Sequence, residues 1–240
     1  MKTRKLSQLT QVRHRCNSII LAVLAILFFE GCTSETLFQS DFDGTPAGQP
    51  PALTQKKGTV KLDGPAGSVK VIDPPVTPSG KWVNITRPNN PAVVTGLQCN
   101  FSRFAGDGKY VFSTYLFIPA GSGLASIQFE EFGQPIGTLT SFLHLDFMEN
   151  NKVRLDDNEG TEFGTFPRDQ VFIVQVTLDI NAATQTAHIV LSGADASGEK
   201  DYTILSPFRA ASHQFGAVRL WQGFPWLGGF DATNILVTLK

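Results

Sequence analysis

The stretch VFIVQVTLDINAATQTAHIVLSG, residues 171–193, decides the fold class. Phe172, Val174, Val176, Leu178 and Ile180 fall on one side of an extended chain, with Gln175, Thr177 and Asp179 on the other. A period of two in β-branched and aromatic residues is the mark of a half-buried strand. The polar DINAATQT segment breaks the run before TAHIVLSG resumes the alternation, so the two halves read as paired strands joined by a short loop.

The same period recurs outward from this pair. KYVFSTYLFIP places Tyr110, Phe112, Thr114, Leu116 and Ile118 together. SFLHLDFME places Leu143, Leu145 and Phe147 on one face and His144 and Asp146 on the other. GAVRLWQG alternates likewise. Between the runs stand turn sequences such as AGDGK (105–109), PAGSG (119–123), DDNEG (156–160) and GADASGEKD (193–201). No segment keeps a 3.6-residue period over three turns, and only SPFRAASHQ (206–214) suggests one helical turn. About twelve short strands without crossover helices predict an all-β, two-sheet antiparallel sandwich. An eight-stranded lipocalin-like barrel is the alternative.

The N-terminus reads as a targeting segment. Lys2, Arg4, Lys5, Arg13 and Arg15 precede the apolar run Ser18–Phe29, which is shorter than the roughly 20 residues a membrane span needs. The run ends in FFEGCTS, and the Gly31–Cys32 junction resembles a bacterial lipoprotein signal, although Phe29 and Glu30 differ from the residues usual there. That resemblance implies cleavage before Cys32, lipid on Cys32 and membrane attachment. A plain signal peptide or an uncleaved anchor is the other reading. The expected organisation is residues 1–31 as signal, 32–37 as lipidated tether and 38–240 as the sandwich domain. Thr33 stands where aspartate resembles an inner-membrane retention signal, so the expectation is the outer membrane if the source is Gram-negative.

The chain's 20 Lys/Arg and 21 Asp/Glu lose five and one with the signal, leaving 15 basic against 20 acidic side chains. A net charge near −5 disfavours nucleic-acid partners. Cys16 leaves with the signal and Cys32 carries lipid, so Cys99 has no disulfide partner. It alternates in phase with Leu97 and Phe101 and reads as an apolar core residue. The sequons at Asn84 and Asn100 are discounted for a bacterial export route.

The two ends share a pattern: LFQSDFDGTPAGQPPA near the start and GGFDATNILVTL at the finish. Together with FIVQVTLDINAATQTAHIVLSG they resemble the concanavalin A-like lectin/glucanase superfamily, in its laminin-G-like jelly-roll branch. The resemblance implies terminal strands that lie side by side and a carbohydrate-handling domain, either a binding module or a polysaccharide-cleaving enzyme. Some members hold structural calcium where the termini meet. Here Asp41, Asp43, the Gly44 carbonyl and Asp231 would supply the oxygens a calcium ion needs. The alternative is that Asp43–Gly44 only turns the chain and Asp231 only caps a strand.

Three functional classes follow. For recognition, RLWQGFPWLGGF (219–230) offers Trp221, Phe224, Trp226 and Phe230 as stacking surfaces, with Arg219, Gln175, His144 and Asp146 as polar partners if they share one sheet. The alternative places those rings inward. For catalysis, FEEF (Glu130, Glu131) and HLDFME (His144, Asp146, Glu149) offer carboxylates and a base, but neither matches the superfamily's glucanase strand. The lyase pattern is also incomplete, so His144 and Asp146 are the catalytic candidates and non-catalytic glycan binding is the expectation. The third class is an envelope protein that binds another protein. A monomer is expected.

Overall fold

The structure is a computed structural model that describes residues 34–240 apart from 77, 79, 91–92, 134, 136–140, 157, 182–184, 205–213 and 224–225. Cys32, the signal segment, Phe224 and most of the proposed helical turn at 206–214 therefore lie outside the described residues. Residues Glu35–Lys240 form one compact unit.

Fifteen strands are described. The first five are β1 (Glu35–Ser40), β2 (Thr59–Asp63), β3 (Val69–Ile72), β4 (Trp82–Arg87) and β5 (Thr95–Ala105). The next five are β6 (Gly108–Phe117), β7 (Ala125–Glu131), β8 (Ser141–Phe147), β9 (Val153–Leu155) and β10 (Asn158–Phe163). The chain ends with β11 (Val171–Ile180), β12 (Gln185–Ser192), β13 (Gly198–Thr203), β14 (Phe215–Gln222) and β15 (Gly228–Leu239). They make two antiparallel sheets. The first runs β13-β12-β11-β6-β15-β4-β3, with β1 also paired to β15. The second runs β10-β9-β8-β7-β14-β5-β2. The fold is thus the expected all-β, two-sheet antiparallel sandwich. Both sheets have free edges, so the barrel alternative fails.

The opening pair behaves as read. β11 and β12 stay in register from Ile173↔Ser192 to Ile180↔Gln185. The terminal strands are neighbours, with Ser40 opposite Ile235 and Glu35 opposite Leu239. β15 is long enough to serve two partners on one edge. Its first half pairs with β4 from Gly228 to Ala232, its second half with β1, and a register shift separates Thr233 from Leu236 along β6. Asn234, with φ 50°, sits in that bulge. β1 begins at Glu35, and Leu37 is fully buried, so part of the stretch 32–37 read as a tether belongs to a strand of the sandwich.

Alternation builds the core from both inner faces. Phe112, Leu116, Val174, Val176 and Leu178 meet Leu97, Ile127, Phe129, Leu145, Val218 and Leu220. Phe215 anchors one end, edge-on to Phe101 at 4.8 Å and Tyr110 at 5.0 Å, with Phe142 at 5.6 Å. Phe147, Phe166 and Phe172 close the other. Cys99 is in this core, and burial pushes its thiol far above the ordinary range, which leaves it inert. Phe42 is also buried, held at φ 58° as the chain turns out of β1.

One feature departs from half-solvated strands: every residue of β7 and β8 is buried, on both faces. The outward face of the second sheet at these strands is polar, so polar groups are buried in quantity there.

Candidate functional site

Register fixes this outward face as rows of cross-strand neighbours. In one row Asp63 (β2), Gly96 (β5), Trp221 (β14), Ser126 (β7), Asp146 (β8) and Arg154 (β9) stand side by side. In the next row are Lys61, Gln98, Arg219, Gln128 and His144. Glu130 follows, opposite Ala217. Each strand contributes alternate residues, with the intervening ones in the core, so the period that builds the sandwich also assembles the site.

The burial is nearly complete, and pairing compensates part of it. Gln98, Gln128, Glu130, Asp146 and Arg219 are each at most 2% exposed. Gln98 Nε2 donates to Glu130 Oε2 (2.6 Å) and Arg219 Nη2 to Asp63 Oδ2 (2.8 Å). Ser126 Oγ donates to Asp146 Oδ1 (2.6 Å) and Arg154 Nη2 to Asp146 Oδ2 (2.9 Å). His144 Nε2 lies 3.0 Å from Asp146 Oδ1, and its backbone N–H donates to Asp156 Oδ1 (2.9 Å). The Trp221 ring stacks on His144 at 5.6 Å, and the Arg219 guanidinium lies over the same ring at 5.1 Å. Gly96 makes room for this: a Cβ there would stand 2.8 Å from Trp221 Cβ and 3.0 Å from the Leu220 carbonyl oxygen.

Two carboxyls on this face, Glu130 and Asp146, are tuned in opposite directions. Burial raises Glu130 to about 7, against the lowering effects of the Gln98 hydrogen bond and the charges of Arg219 and His144. Burial also opposes ionisation of Asp146, but His144, Ser126 and Arg154 together hold it well below the usual carboxylate range. Burial pulls the Arg219 guanidinium down, with Glu130 and Asp63 acting against it. Glu130 Oε1, Arg219 Nε and Trp221 Nε1 are buried with no hydrogen-bond partner recorded. Each such buried group carries the cost of an unmade hydrogen bond.

His144, Asp146, Trp221 and Arg219 are brought together on this face. Gln175 is not: it is exposed on β11, in the other sheet, opposite Ser113 and Val190. Trp226 is not part of a shared aromatic platform either. It sits in the β14–β15 connection, packs against Gly123 and passes its carbonyl to Arg87 Nη1 (2.6 Å). Phe230 is a core residue. Glu130, one of the two FEEF glutamates, also lies on this face, and Gln98, which donates to it, and Gln128 are the main additions. Their signal was present as a polar residue at every second position of ASIQFEE and LQC, a pattern that reads equally as a solvated face.

The calcium cradle at the termini does not form. Asp41 pairs with Lys56, Asp43 Oδ1 accepts from the Lys81 backbone N–H (2.9 Å), and Asp231 Oδ1 accepts from Asn84 Nδ2 (2.6 Å). Burial raises Asp231 to about 6, which disfavours the ionised form a metal ligand requires. Gly44 belongs to the exposed turn after Phe42. Among the described residues no group of three or more His, Cys, Asp or Glu side chains could hold a metal ion. The donors present do not fit calcium.

Geometry also limits catalytic readings. Ser126 gives its proton to Asp146, not to His144, so no serine–histidine nucleophile is formed. Asp146 faces Ser126, and Glu130 lies four residues farther along β7, about 13 Å at a strand's rise per residue. Paired glycosidase carboxylates stand about 5–9 Å apart.

No protein-family profile matches the sequence, and no curated protein matches it. Solved structures do. A carbohydrate esterase from Shiga toxin-encoding bacteriophage phi24B superposes with a TM-score of 0.54 at 10% identity, over 87% of this chain and all of that one. The GH131 beta-glucanase catalytic domain of Podospora anserina superposes with a TM-score of 0.52 at 13% identity, over 85% of this chain and 95% of that one. The fold is shared. At these identities the likeness extends to the fold alone.

Proposed function

We propose that the outward face of the second sheet is a glycan-recognition site, presented at a bacterial envelope by a lipid on Cys32. The observation that carries the reading is the row arrangement around Trp221. One aromatic face lies beside amides, a guanidinium and carboxylates that point the same way. Sugars offer an apolar ring face and a set of hydroxyls, so they match an aromatic ring flanked by fixed donors and acceptors. Two structural relatives named for carbohydrate chemistry, an esterase and a glucanase, support the choice of ligand class.

The site is read as non-catalytic because Asp146 and Glu130 stand farther apart than a glycosidase pair and Ser126 donates to Asp146 and not to His144. Asp146, ionised and held on three sides, orients Arg154 and His144. Gln98 and Gln128 set the polar floor. A glycan array on residues 32–240, run beside Trp221→Ala and Arg219→Met, tests the reading. Loss of the wild-type hits in both variants supports it; hits that persist unchanged in both refute it.

A polysaccharide-cleaving activity is the second reading, and one observation favours it. Glu130 at about 7 is matched to proton transfer near neutral pH. Release of oligosaccharide that is abolished by Glu130→Gln, with array binding kept, would replace the first reading with this one. The anchor is tested separately: Cys32→Ser in cells should release the chain from the membrane fraction.

A further inference from the structure

The end of the sandwich where β1 begins differs from the rest of the surface. Glu35 pairs with Leu239, and the Lys240 N–H donates to the Lys109 carbonyl (2.9 Å), so β1, β15 and β6 meet there. Arg103 Nε donates to Glu35 Oε1 (3.0 Å) and ties the end of β5 to the same point. The next residue, Phe104, is 46% exposed, and its ring centre lies 5.3 Å from that of Phe132, itself 43% exposed. These are the only exposed phenylalanines among the described residues. Phe132 is firmly seated. Its N–H donates to the Gln214 carbonyl (2.7 Å), and a Cβ on Gly216 would stand 2.5 Å from it. Two adjacent rings held in the open are a surface built to be covered.

Chain length says by what. Only Thr33 and Ser34 separate Cys32 from β1, and an extended chain spans at most about 3.3–3.6 Å per residue. A lipid on Cys32 therefore holds Glu35 within about 10 Å of the headgroups. Charge permits the approach: Arg103, Lys109 and Lys240 at this end are matched by Glu35, Asp107 and Asp179, although residues 32–240 carry a net charge near −5. We propose that this end docks on a phospholipid bilayer, with Phe104 and Phe132 in the interfacial region. This rests on the lipid-anchor reading. The aromatic pair supplies the attachment, so anionic lipid is not required. The strands then stand away from the membrane, and the polar face of the second sheet looks sideways along it.

The test does not depend on cellular lipidation. Among the described residues the core cluster lies wholly within the compact unit Glu35–Lys240, so a chain from residue 32 onward carries it. Cys99 is buried, so Cys32 alone couples to a maleimide-headgroup lipid in phosphatidylethanolamine/phosphatidylglycerol vesicles. In the Phe104→Trp chain, lipids brominated high in the acyl chain should quench the added emission, beyond any loss from Trp82, Trp221 and Trp226 in the wild type. The Phe132→Trp chain should repeat the result, with or without phosphatidylglycerol. Emission at both positions that is indifferent to bromination overturns the proposal. So does a concentration-dependent dimer of the uncoupled chain that Phe104→Ala and Phe132→Ala abolish, since a second copy then covers the patch. If quenching holds but Cys32→Ser does not release the chain in cells, the anchor reading fails and the docking surface stands.

Discussion

The His144 imidazole lies against the Trp221 indole, ring centres 5.6 Å apart and planes 22° from parallel. The two residues come from β8 and β14, with β7 between them, so the contact spans three strands. It holds the indole in place, and under the proposed function that indole is the surface on which a sugar ring stacks. Trp221→Ala should weaken binding of the best array ligand about tenfold or more, as loss of an aromatic contact of 0.5–1.5 kcal/mol plus its buried area implies. His144→Ala should weaken it less, by freeing the indole. Titration calorimetry on both variants measures the order; a larger loss for His144→Ala would make the imidazole the direct contact.

Gly96→Ala probes the same indole from the other side. The new Cβ would press on Trp221 Cβ and the Leu220 carbonyl. Overpacking of this kind costs about 1–3 kcal/mol. The variant should fold with a lowered Tm and a changed tryptophan near-ultraviolet dichroism, and its glycan affinity should fall. An unchanged dichroism band would mean the indole had not moved.

Glu130 gives the protein a definite pH signature. Its folded pKa, about 7, is above the ordinary 4.5, so the folded state holds the proton more tightly. The resulting stability is fully present below about pH 4.5 and is lost as pH rises through 7, up to roughly 3 kcal/mol. Asp231, at about 6, acts with the same sign over a lower window. Asp146 acts oppositely: its stabilisation is present above its ordinary pKa and is lost as pH falls towards the folded value. Glu130→Gln, which can still accept from Gln98, should match the wild type near pH 5 and exceed it near pH 8. Urea unfolding at the two pH values checks this; a variant that tracks the wild type at both would place Glu130's titration elsewhere.

Calcium should leave the fold indifferent. A ligand that binds only the folded state must stabilise it. With Asp41, Asp43 and Asp231 committed to Lys56, Lys81 and Asn84, Tm should be the same in millimolar calcium and in chelator. A reproducible rise with calcium would show that these side chains rearrange around the ion.

Phe215→Ala should be the most damaging single truncation at its end of the core, by about 3–5 kcal/mol. The ring contacts Phe101, Tyr110, Phe129 and Phe142. Chemical denaturation gives the figure, and a loss below about 1 kcal/mol would mean the cluster collapses into the cavity.

The sandwich itself was legible in the sequence because burial of alternate residues is a local code. Phe172 to Ile180, Tyr110 to Ile118 and Leu143 to Phe147 each announce which side is inward, and all were placed inward. Proximity of the first and last strands was implied by the superfamily resemblance that the DFDG and GGFD segments carry. The same code misled over Gln175, since a period of two says that a residue faces outward but not from which sheet. It also could not separate the dry polar face of β7 and β8 from a wet one. Ser126, Gln128 and Glu130 have the spacing of a solvated surface, and only the neighbouring strands reveal that they are buried.

By itself, then, the amino-acid order determined the strand content, the inward residues, the acidic charge of the domain and the expectation of a lipid on Cys32. Tertiary structure alone decided which outward residues share a sheet. Trp221, Arg219, His144 and Glu130 are up to 91 residues apart in the chain, and they meet because β8, β7 and β14 are hydrogen-bonded in one register. Asp41 and Asp43 follow the end of β1 and Asp231 lies on the neighbouring β15, yet the three take different partners. Alternation is a property of one strand; pairing between distant strands is set by how the two sheets close over a common core.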